Sequence, residues 1–489
     1  MTEKNNKIYL TTPIYYVNSV AHLGHAYTTL AIDVLTRYYR ELGKDVFFLT
    51  GTDEHGAKIF EAAQKAGKTP QGFCDEVSSL FKKAWGNLNI GYSYFIRTTD
   101  KNHEEKVAEF LTILKDKGFL YEGEYAGKYC VGCEKFVTEK DLVDGKCPDH
   151  KCEPQDVAEE NWFFKLRQLL PKIQELIESD KILIRPENAK SEVLGVIKQG
   201  IDDISISRKN VSWGIKLPWD ESQTIYVWVD ALLNYWTVLQ NFNKTEFWPA
   251  DLHLVGRDIL KFHCIMWPAL LLAYYKEGAI DQLPKQIFCH GYFTIDGQKM
   301  SKTIGNVIDP NNLIKKYGID ATRYLLLTQF PFGNDGDVSL GRLDEKYNSD
   351  LASGLGNLTA RVITLARKSN IKNQTSKIKI KSQKVKQAIL EAKNKHNFSL
   401  ALENLKIDEA LGAVWELIGA CDKIIDTEKP WEVTDQKSKI KNQKVIEDLL
   451  LALQEIAELL KPFMPQTAEK ITGQIKTGKS EPLFPRLNF

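Results

Sequence analysis

Residues 7–56 read KIYLTTPIYYVNSVAHLGHAYTTLAIDVLTRYYRELGKDVFFLTGTDEHG, and this stretch decides the fold class. Lys7–Thr12 (KIYLTT) is a short β-type run that Pro13 is expected to end. From His25 to Leu42 the apolar residues Leu30, Val34, Leu35 and Tyr38 recur at spacings of three or four, which predicts a helix, and Gly43 stops it. Asp45–Thr50 (DVFFLT) is a second, nearly continuous apolar strand, with GTDEHG (Gly51–Gly56) as the loop after it. A strand–helix–strand unit of this length requires parallel strands, hence an α/β, doubly wound, Rossmann-like sheet. Ligands of such sheets sit beyond the carboxyl ends of the strands. Tyr15–His25 and GTDEHG both lie at that edge.

Outward from this unit the rhythm changes twice. Residues from about 118 to 223 hold a cysteine cluster and many polar turns, and read as an insertion between two halves of the sheet. The αβ pattern returns at Thr224–Val229 (TIYVWV), Leu252–Val255 (LHLV) and Gln286–His290 (QIFCH). From about residue 345 strand signals give way to long amphipathic patterns, such as Val445–Leu460, which predict an all-α bundle. The expected organisation is therefore 1–117 and 224–344 as the two halves of a catalytic domain, 118–223 as a connective insertion, and 345–489 as a helical domain. Inside the last, Arg367–Lys386 carries eight basic and no acidic residues. It reads either as a solvated face or as a contact to a phosphate backbone, and its role stays open.

Composition excludes several classes. The 489 residues suffice for two to four domains at roughly 100–200 residues each. With 43% hydrophobic and 26% charged residues the chain is neither disordered nor a small disulfide scaffold. A formal charge of +1 gives no global basic field, so a nucleic-acid partner must be held by local patches. No apolar run reaches the ~18 residues of a spanning helix. The N-terminus lacks a signal-peptide apolar region, so a cytoplasmic location is expected.

Two short motifs carry chemistry. His22-Leu23-Gly24-His25 opens a helix directly after the first strand. Gly24 allows a ligand close to the backbone, the helix start favours an anion, and two histidines three apart can both donate to phosphate oxygens. The bland alternative is a capped helix with a packed histidine. Lys299-Met300-Ser301-Lys302-Thr303, preceded by Asp296-Gly297, sets two lysines on one loop. They can close over a polyphosphate and neutralise charge on a leaving group, or they can be solvated on a surface turn.

Together and in this order, HLGH and KMSKT resemble the signatures of the class I aminoacyl-tRNA synthetases, and within that class the chain is most similar to the methionyl-tRNA synthetases. The likeness runs from PIYYVN at Pro13 to LFPRL at Leu487. It implies catalytic roles for His22, Gly24, His25, Lys299 and Lys302, with Arg257 and Asp258 also contacting ATP. It implies that Asp53 pairs with a substrate ammonium, as an ammonium removed from water requires. Ile14, Tyr16, Trp228, Ala231, Tyr235, Ile259 and His263 would line a methionine pocket, aromatic faces suiting a polarisable thioether. Leu232 stands where some members carry proline. In the helical domain Asn357, Arg361 and Trp431 would recognise the unstacked CAU anticodon of tRNA(Met).

Cys130-x2-Cys133 and Cys147-x2-His150, with thirteen residues between the pairs, supply four ligands suited to one structural, tetrahedral Zn2+. Cys152 could replace His150. Mg2+ would accompany ATP. The chain stops at Phe489, without the C-terminal oligonucleotide-binding domain that dimerises some members, which implies a monomer. Two other readings are a synthetase for another apolar amino acid and a non-catalytic tRNA- or nucleotide-binding paralogue. The short insertion argues against the first and the intact motifs against the second.

Overall fold

A computed structural model of the chain describes residues 6–130, 135–137, 142–148, 151–275, 278–299, 308–371, 382–394 and 398–487. It divides into two compact units: residues 1–21, 43–85 and 92–290, and residues 22–42, 86–91 and 291–489. The first is built on a six-stranded parallel sheet. Its strands are β1 (Lys7–Tyr16), β2 (Asp45–Asp53), β3 (Tyr94–Arg97), β4 (Leu183–Arg185), β5 (Leu252–Gly256) and β6 (Gln286–His290). They lie in the order β3-β2-β1-β5-β6-β4, all pairs parallel. The expected doubly wound sheet is thus present, and its order reverses between β1 and β5, where such sheets bind ligands. The edge strand β4 comes from the segment read as an insertion.

Two strand boundaries differ from the sequence expectation. Pro13 does not end β1; the strand continues to Tyr16 across a register shift between Thr11 and Ile14. A bulge is one of the few places inside a sheet where a residue without an N–H is tolerated. Likewise Gly51, Thr52 and Asp53 are the end of β2 and not loop. A side chain at Gly51 would run into the Ile96 carbonyl of β3, so only glycine lets the two strands pair there. The two extensions bring Tyr16 directly opposite Asp53.

The TIYVWV stretch is not one strand. Asp220–Ile225 forms a strand of a separate three-stranded antiparallel sheet, and Val227–Asn241 is a helix. Its β-branched and aromatic residues imitate a strand, but Val227 and Val229 to Leu239 are all buried. Burial on every side overrides local propensity. The insertion itself holds a four-stranded antiparallel sheet around the paired strands Leu120–Cys130 and Gln155–Phe164.

The second unit contains α1 (Leu23–Glu41), a three-stranded sheet centred on Phe293–Ile295, and helices from Pro310 to Thr477; from residue 345 on, the described elements are all helical, as expected. Its interior is pinned by Arg323, fully buried on the Ile319–Leu327 helix. The guanidinium meets Asp33 of α1 at 2.7 Å and donates to the carbonyls of Leu88 (3.1 Å), Pro462 (3.1 Å) and Phe463 (2.7 Å). Asp33 also accepts from Arg37 Nε at 2.7 Å and from the Gly91 amide at 2.7 Å. Among the described residues no helix is long and apolar enough to cross a membrane.

Removing one partner of such a buried pair strands the other in a low-dielectric interior. Arg323→Met should therefore lower stability by about 3–5 kcal/mol, read as a shifted urea-unfolding midpoint. A shift of less than 1 kcal/mol contradicts this account.

Candidate functional site

The carboxyl ends of β1, β2 and β5 surround one polar-and-aromatic cluster in the first unit. Label as α2 the helix Lys101–Asp116 and as α3 the helix Val227–Asn241. From α3, Trp228 stacks on Phe262 with ring centroids 4.0 Å apart and planes within 4°. Ala231 and Tyr235, one and two turns further on, are buried. After β5 the chain makes a 3-10 turn at Arg257–Ile259 and a π-helical turn at Phe262–Met266. Irregular turns of this kind recur at functional sites, because they re-aim side chains that a regular helix would place elsewhere. Here they bury His263 and leave Ile14, Tyr16, Trp228 and Ile259 half-buried against the core.

Hydrogen bonding fixes the state of His263. Its Nδ1 lies 3.0 Å from the Ile259 carbonyl, which can only accept, so Nδ1 carries the proton. Nε2 is then the acceptor for the Tyr235 hydroxyl at 2.8 Å. Burial pushes the imidazole down to about 4 against the opposing pull of the Ile259 carbonyl, so the ring is neutral at physiological pH. Beneath it, Trp267 Nε1–H donates to His253 Nε2 at 3.2 Å, which assigns the His253 proton to Nδ1 facing Thr11 Oγ1 at 2.6 Å. A neutral, aromatic-rich cluster results, suited to an apolar, polarisable side chain.

Asp53 is the acidic counterpart, 6% exposed at the end of β2. The residue after it is locked. Glu54, fully buried, accepts from Arg97 Nε and Nη2, both at 2.8 Å, and from the hydroxyls of Thr52 and Thr99, both at 2.6 Å. Its amide donates to Thr98 Oγ1 and its carbonyl accepts from Trp213 Nε1 at 2.6 Å. His55, next in the chain, sits between Asp230 of α3 at 2.7 Å and Glu104 of α2 at 3.5 Å. Glu54 and His55 lie within GTDEHG, and Asp230 directly follows TIYVWV, but no sequence pattern assigns them a role, and nothing in the sequence points to Arg97 or His103.

In the second unit, His22 and His25 do two jobs at the start of α1. The Gly24 amide donates to His22 Nδ1 at 3.2 Å, and the His22 amide donates to His25 Nδ1 at 3.3 Å. This is a capping box made of imidazoles, satisfying helix-start amides that carboxylates or hydroxyls normally serve. The rings stack at 3.6 Å. Because each Nδ1 accepts, the proton of each neutral ring sits on Nε2, the nitrogen that can donate to an anion. The capped-helix and anion-binding readings are therefore compatible. The Leu23 amide donates to the Ile308 carbonyl at 3.1 Å, joining the helix start to the segment that follows KMSKT.

Lys299 ends the strand Gln298–Lys299, whose hairpin with Phe293–Ile295 turns at Asp296 and Gly297, both with positive φ (49° and 75°). An Asp-Gly pair is the preferred filling of this two-residue turn. Met300–Val307, Lys302 included, lie outside the described residues, as do Cys133 and His150. Arg257 and Asp258 are exposed at the end of β5, and Arg257 pairs with Glu192 at 3.1 Å. In the insertion Cys130 and Cys147 are buried beside Val137, and Cys152 Sγ is 3.9 Å from Cys130 Sγ. In the helical region Asn357 is exposed at a helix start and Arg361 follows one turn later. Arg361 bridges to Asp422 (3.0 Å) and Asp426 (2.5 Å) on the Ile407–Glu428 helix, just past which Trp431 stands 52% exposed.

The family described as "tRNA synthetases class I (M)" matches residues 8–158 and 151–363. A methionine–tRNA ligase of Clostridium acetobutylicum is 41% identical, over all of this chain and 79% of its own length. The Thermotoga maritima methionine–tRNA ligase is 40% identical, over 96% of this chain and 75% of its own. Among solved structures, Mycobacterium tuberculosis methionyl-tRNA synthetase in complex with methionyl-adenylate superposes with a TM-score of 0.89 at 32% identity, covering 98% of this chain and 99% of that one.

His263 also makes stability depend on pH. The unfolded ring titrates near 6.5 and the folded ring at about 4, so between these values only the unfolded chain takes up the proton. Its contribution is complete above pH 6.5 and is lost as pH falls toward 4, on the order of 3 kcal/mol in all. Urea unfolding at a series of pH values should show this slope, and His263→Asn should flatten it.

Proposed function

The chain belongs to the class I tRNA synthetases of the M type, and we propose that within that family it acts as a methionine–tRNA ligase. The observation that carries this reading is the cluster at the sheet's switch point, an acidic Asp53 opposite Tyr16 beside a wall of neutral aromatic and imidazole groups. A zwitterionic amino acid with an unbranched thioether side chain matches both halves. Its ammonium goes to Asp53, and its sulfur lies against Trp228, Tyr235, Ile259 and His263, with Ile14, Tyr16 and Ala231 completing the wall.

The reaction runs in two steps. The methionine carboxylate attacks the α-phosphate of ATP, forming methionyl-adenylate and releasing pyrophosphate. A ribose hydroxyl at the 3′ end of tRNA(Met) then attacks the activated carbonyl and releases AMP. No protein nucleophile is required, so the residues act by positioning and charge stabilisation. His22 and His25 donate Nε2–H to phosphate oxygens, Gly24 leaves room beside them, and Lys299 and Lys302 offset the charge of the departing pyrophosphate. Arg257 and Asp258 contact the nucleotide. Mg2+ bound with ATP would screen the phosphates.

Asn357, Arg361 and Trp431 read the anticodon. A single helix start and its neighbouring helix end present them, and the exposed indole is a stacking surface. The four segments 1–117, 118–223, 224–344 and 345–489 serve as catalytic halves, insertion and anticodon domain, in a cytoplasmic monomer.

The insertion suits one structural Zn2+ held by Cys130, Cys133, Cys147 and a fourth ligand, His150 or Cys152. Two thiolates on one tetrahedral zinc stand about 3.8 Å apart, given Zn–S bonds of about 2.3 Å. The 3.9 Å between Cys130 and Cys152 fits that spacing. Metal analysis of Cys152→Ala and His150→Ala decides the ligand: the variant that loses its one zinc per chain names it.

Purified protein should catalyse ATP–pyrophosphate exchange with methionine and not with leucine, isoleucine, valine or cysteine. Lys302→Ala should slow that exchange at least about 100-fold while methionine still binds. Trp431→Ala should leave exchange intact and weaken tRNA charging by about 10-fold or more. Exchange with another amino acid would discard the pocket; exchange unchanged in Lys302→Ala would discard the loop's role.

A further inference from the structure

The methionine subsite has a keystone that lies outside its wall. His55 is 3% exposed and holds three pocket elements at once. Its carbonyl accepts from the Tyr16 hydroxyl at 3.0 Å, which ties it to the end of β1. Its Nδ1 meets Asp230 Oδ2 at 2.7 Å, which ties it to α3 between Trp228 and Ala231. Asp53, the last residue of β2, is two positions before His55 in the chain. Asp230, 1% exposed, gives its other oxygen to His103 Nε2 of α2 at 2.7 Å, and His103 Nδ1 returns to Thr237 Oγ1 of α3 at 2.7 Å. The charged and titratable groups facing His55 are thus Asp230 and Asp53 with Glu104 at 3.5 Å, and His103 stands behind Asp230.

We propose that His55, clamped against Asp230, is a positioning residue for methionine: it sets the end of β2, which bears Asp53, in register with the helix bearing Trp228, Ala231 and Tyr235. The proposal rests on the reading of this cluster as the methionine subsite. The alternative, an ordinary core histidine, leaves the arrangement unexplained, because a buried carboxylate bridging two imidazoles costs desolvation that apolar packing would avoid. What the bridge gives in return is direction. The His55–Asp230 and Asp230–His103 contacts are short hydrogen bonds of fixed geometry between elements that share no strand pairing, so the ammonium partner and the thioether wall move together or not at all.

The charge state follows from the surroundings. Burial opposes the imidazolium of His55, but the Asp230 carboxylate, its hydrogen bond, Glu104 and Asp53 outweigh it and raise the ring to about 10. Asp230 is correspondingly lowered, its burial being overcome by His55 and His103. In the native protein the clamp is therefore ionised across neutral pH. Replacing Asp230 by asparagine removes most of what supports the charge. His55 then loses its proton as pH rises through the neutral range, and the clamp with it.

The test is methionine-dependent ATP–pyrophosphate exchange by the full chain, with methionine and ATP varied separately, for the native protein, His55→Gln, Asp230→Asn and the double variant. The expected result is a KM for methionine raised about 10- to 100-fold in each single variant with the KM for ATP nearly unchanged. The double variant should be no worse than the poorer single, since both remove one clamp. In Asp230→Asn, kcat/KM for methionine should also fall between pH 6 and 8, where the native protein stays level. Unchanged methionine KM in folded single variants, additive losses, or a level profile in Asp230→Asn each overturns the proposal.

A measurement on the native protein stands if the variants do not fold. Imidazole 15N spectra at pH 8 should show His55 protonated on both nitrogens; a neutral ring there overturns the clamp. Failure of the native protein itself to exchange with methionine refutes the subsite reading instead, so the two failures are distinguishable.

Discussion

A charge taken out of water must be met by an opposite charge or a full set of hydrogen bonds, and this constraint organises both units of the molecule. Among the buried carboxylates of the described residues, three each end a chain of dependence. Glu54 is met by Arg97 and two threonine hydroxyls, Asp230 by His55 and His103, and Asp33 by Arg323 and Arg37. The first two hold the carboxyl edge of the parallel sheet, where the polar-and-aromatic cluster lies. The third holds α1, which carries HLGH, within the helical unit. Without these pairings the apolar core would still collapse, but the ends of its strands and helices would lack fixed directions.

The chemistry asks for this kind of order. Adenylate formation and transfer use no group on the protein as a nucleophile, so rate comes from holding reactants at a set distance and from meeting charge where it develops. Strand ends set Tyr16 opposite Asp53, a largely buried helix holds Ala231 and Tyr235, and a π-helical turn buries His263. The histidines illustrate how environment divides one residue type. His263 is kept neutral by burial, His55 is kept charged by carboxylates, and His22 and His25 are fixed in one tautomer by capping their own helix.

Much of this was legible in advance. Apolar runs of β-branched and aromatic residues marked β2, β5 and β6, and the 3.6-residue period marked α1 and the long C-terminal helices, because burying one face of an element imposes that period on the sequence. HLGH is a short local pattern because a helix start is encoded by a few adjacent residues, whereas KMSKT after Lys299 lies outside the described residues. Other features misled. Pro13 stood for a strand end where it marks a bulge, and Val227–Val229 imitated a strand where surrounding burial enforces a helix.

The sequence alone determined the class of sheet and the helical C-terminal region, both of which are written in the spacing of apolar residues along the chain. Only the tertiary structure decided that β1 and β2 extend until Tyr16 faces Asp53, and that His55 and Asp230, 175 positions apart, share a proton-bearing contact. It also decided that Arg97 closes on Glu54 and His103 on Asp230. The reason is physical: periodicity records which face of an element is buried, whereas the pairing of buried charges depends on which elements meet, and that is set by the packing of the whole unit.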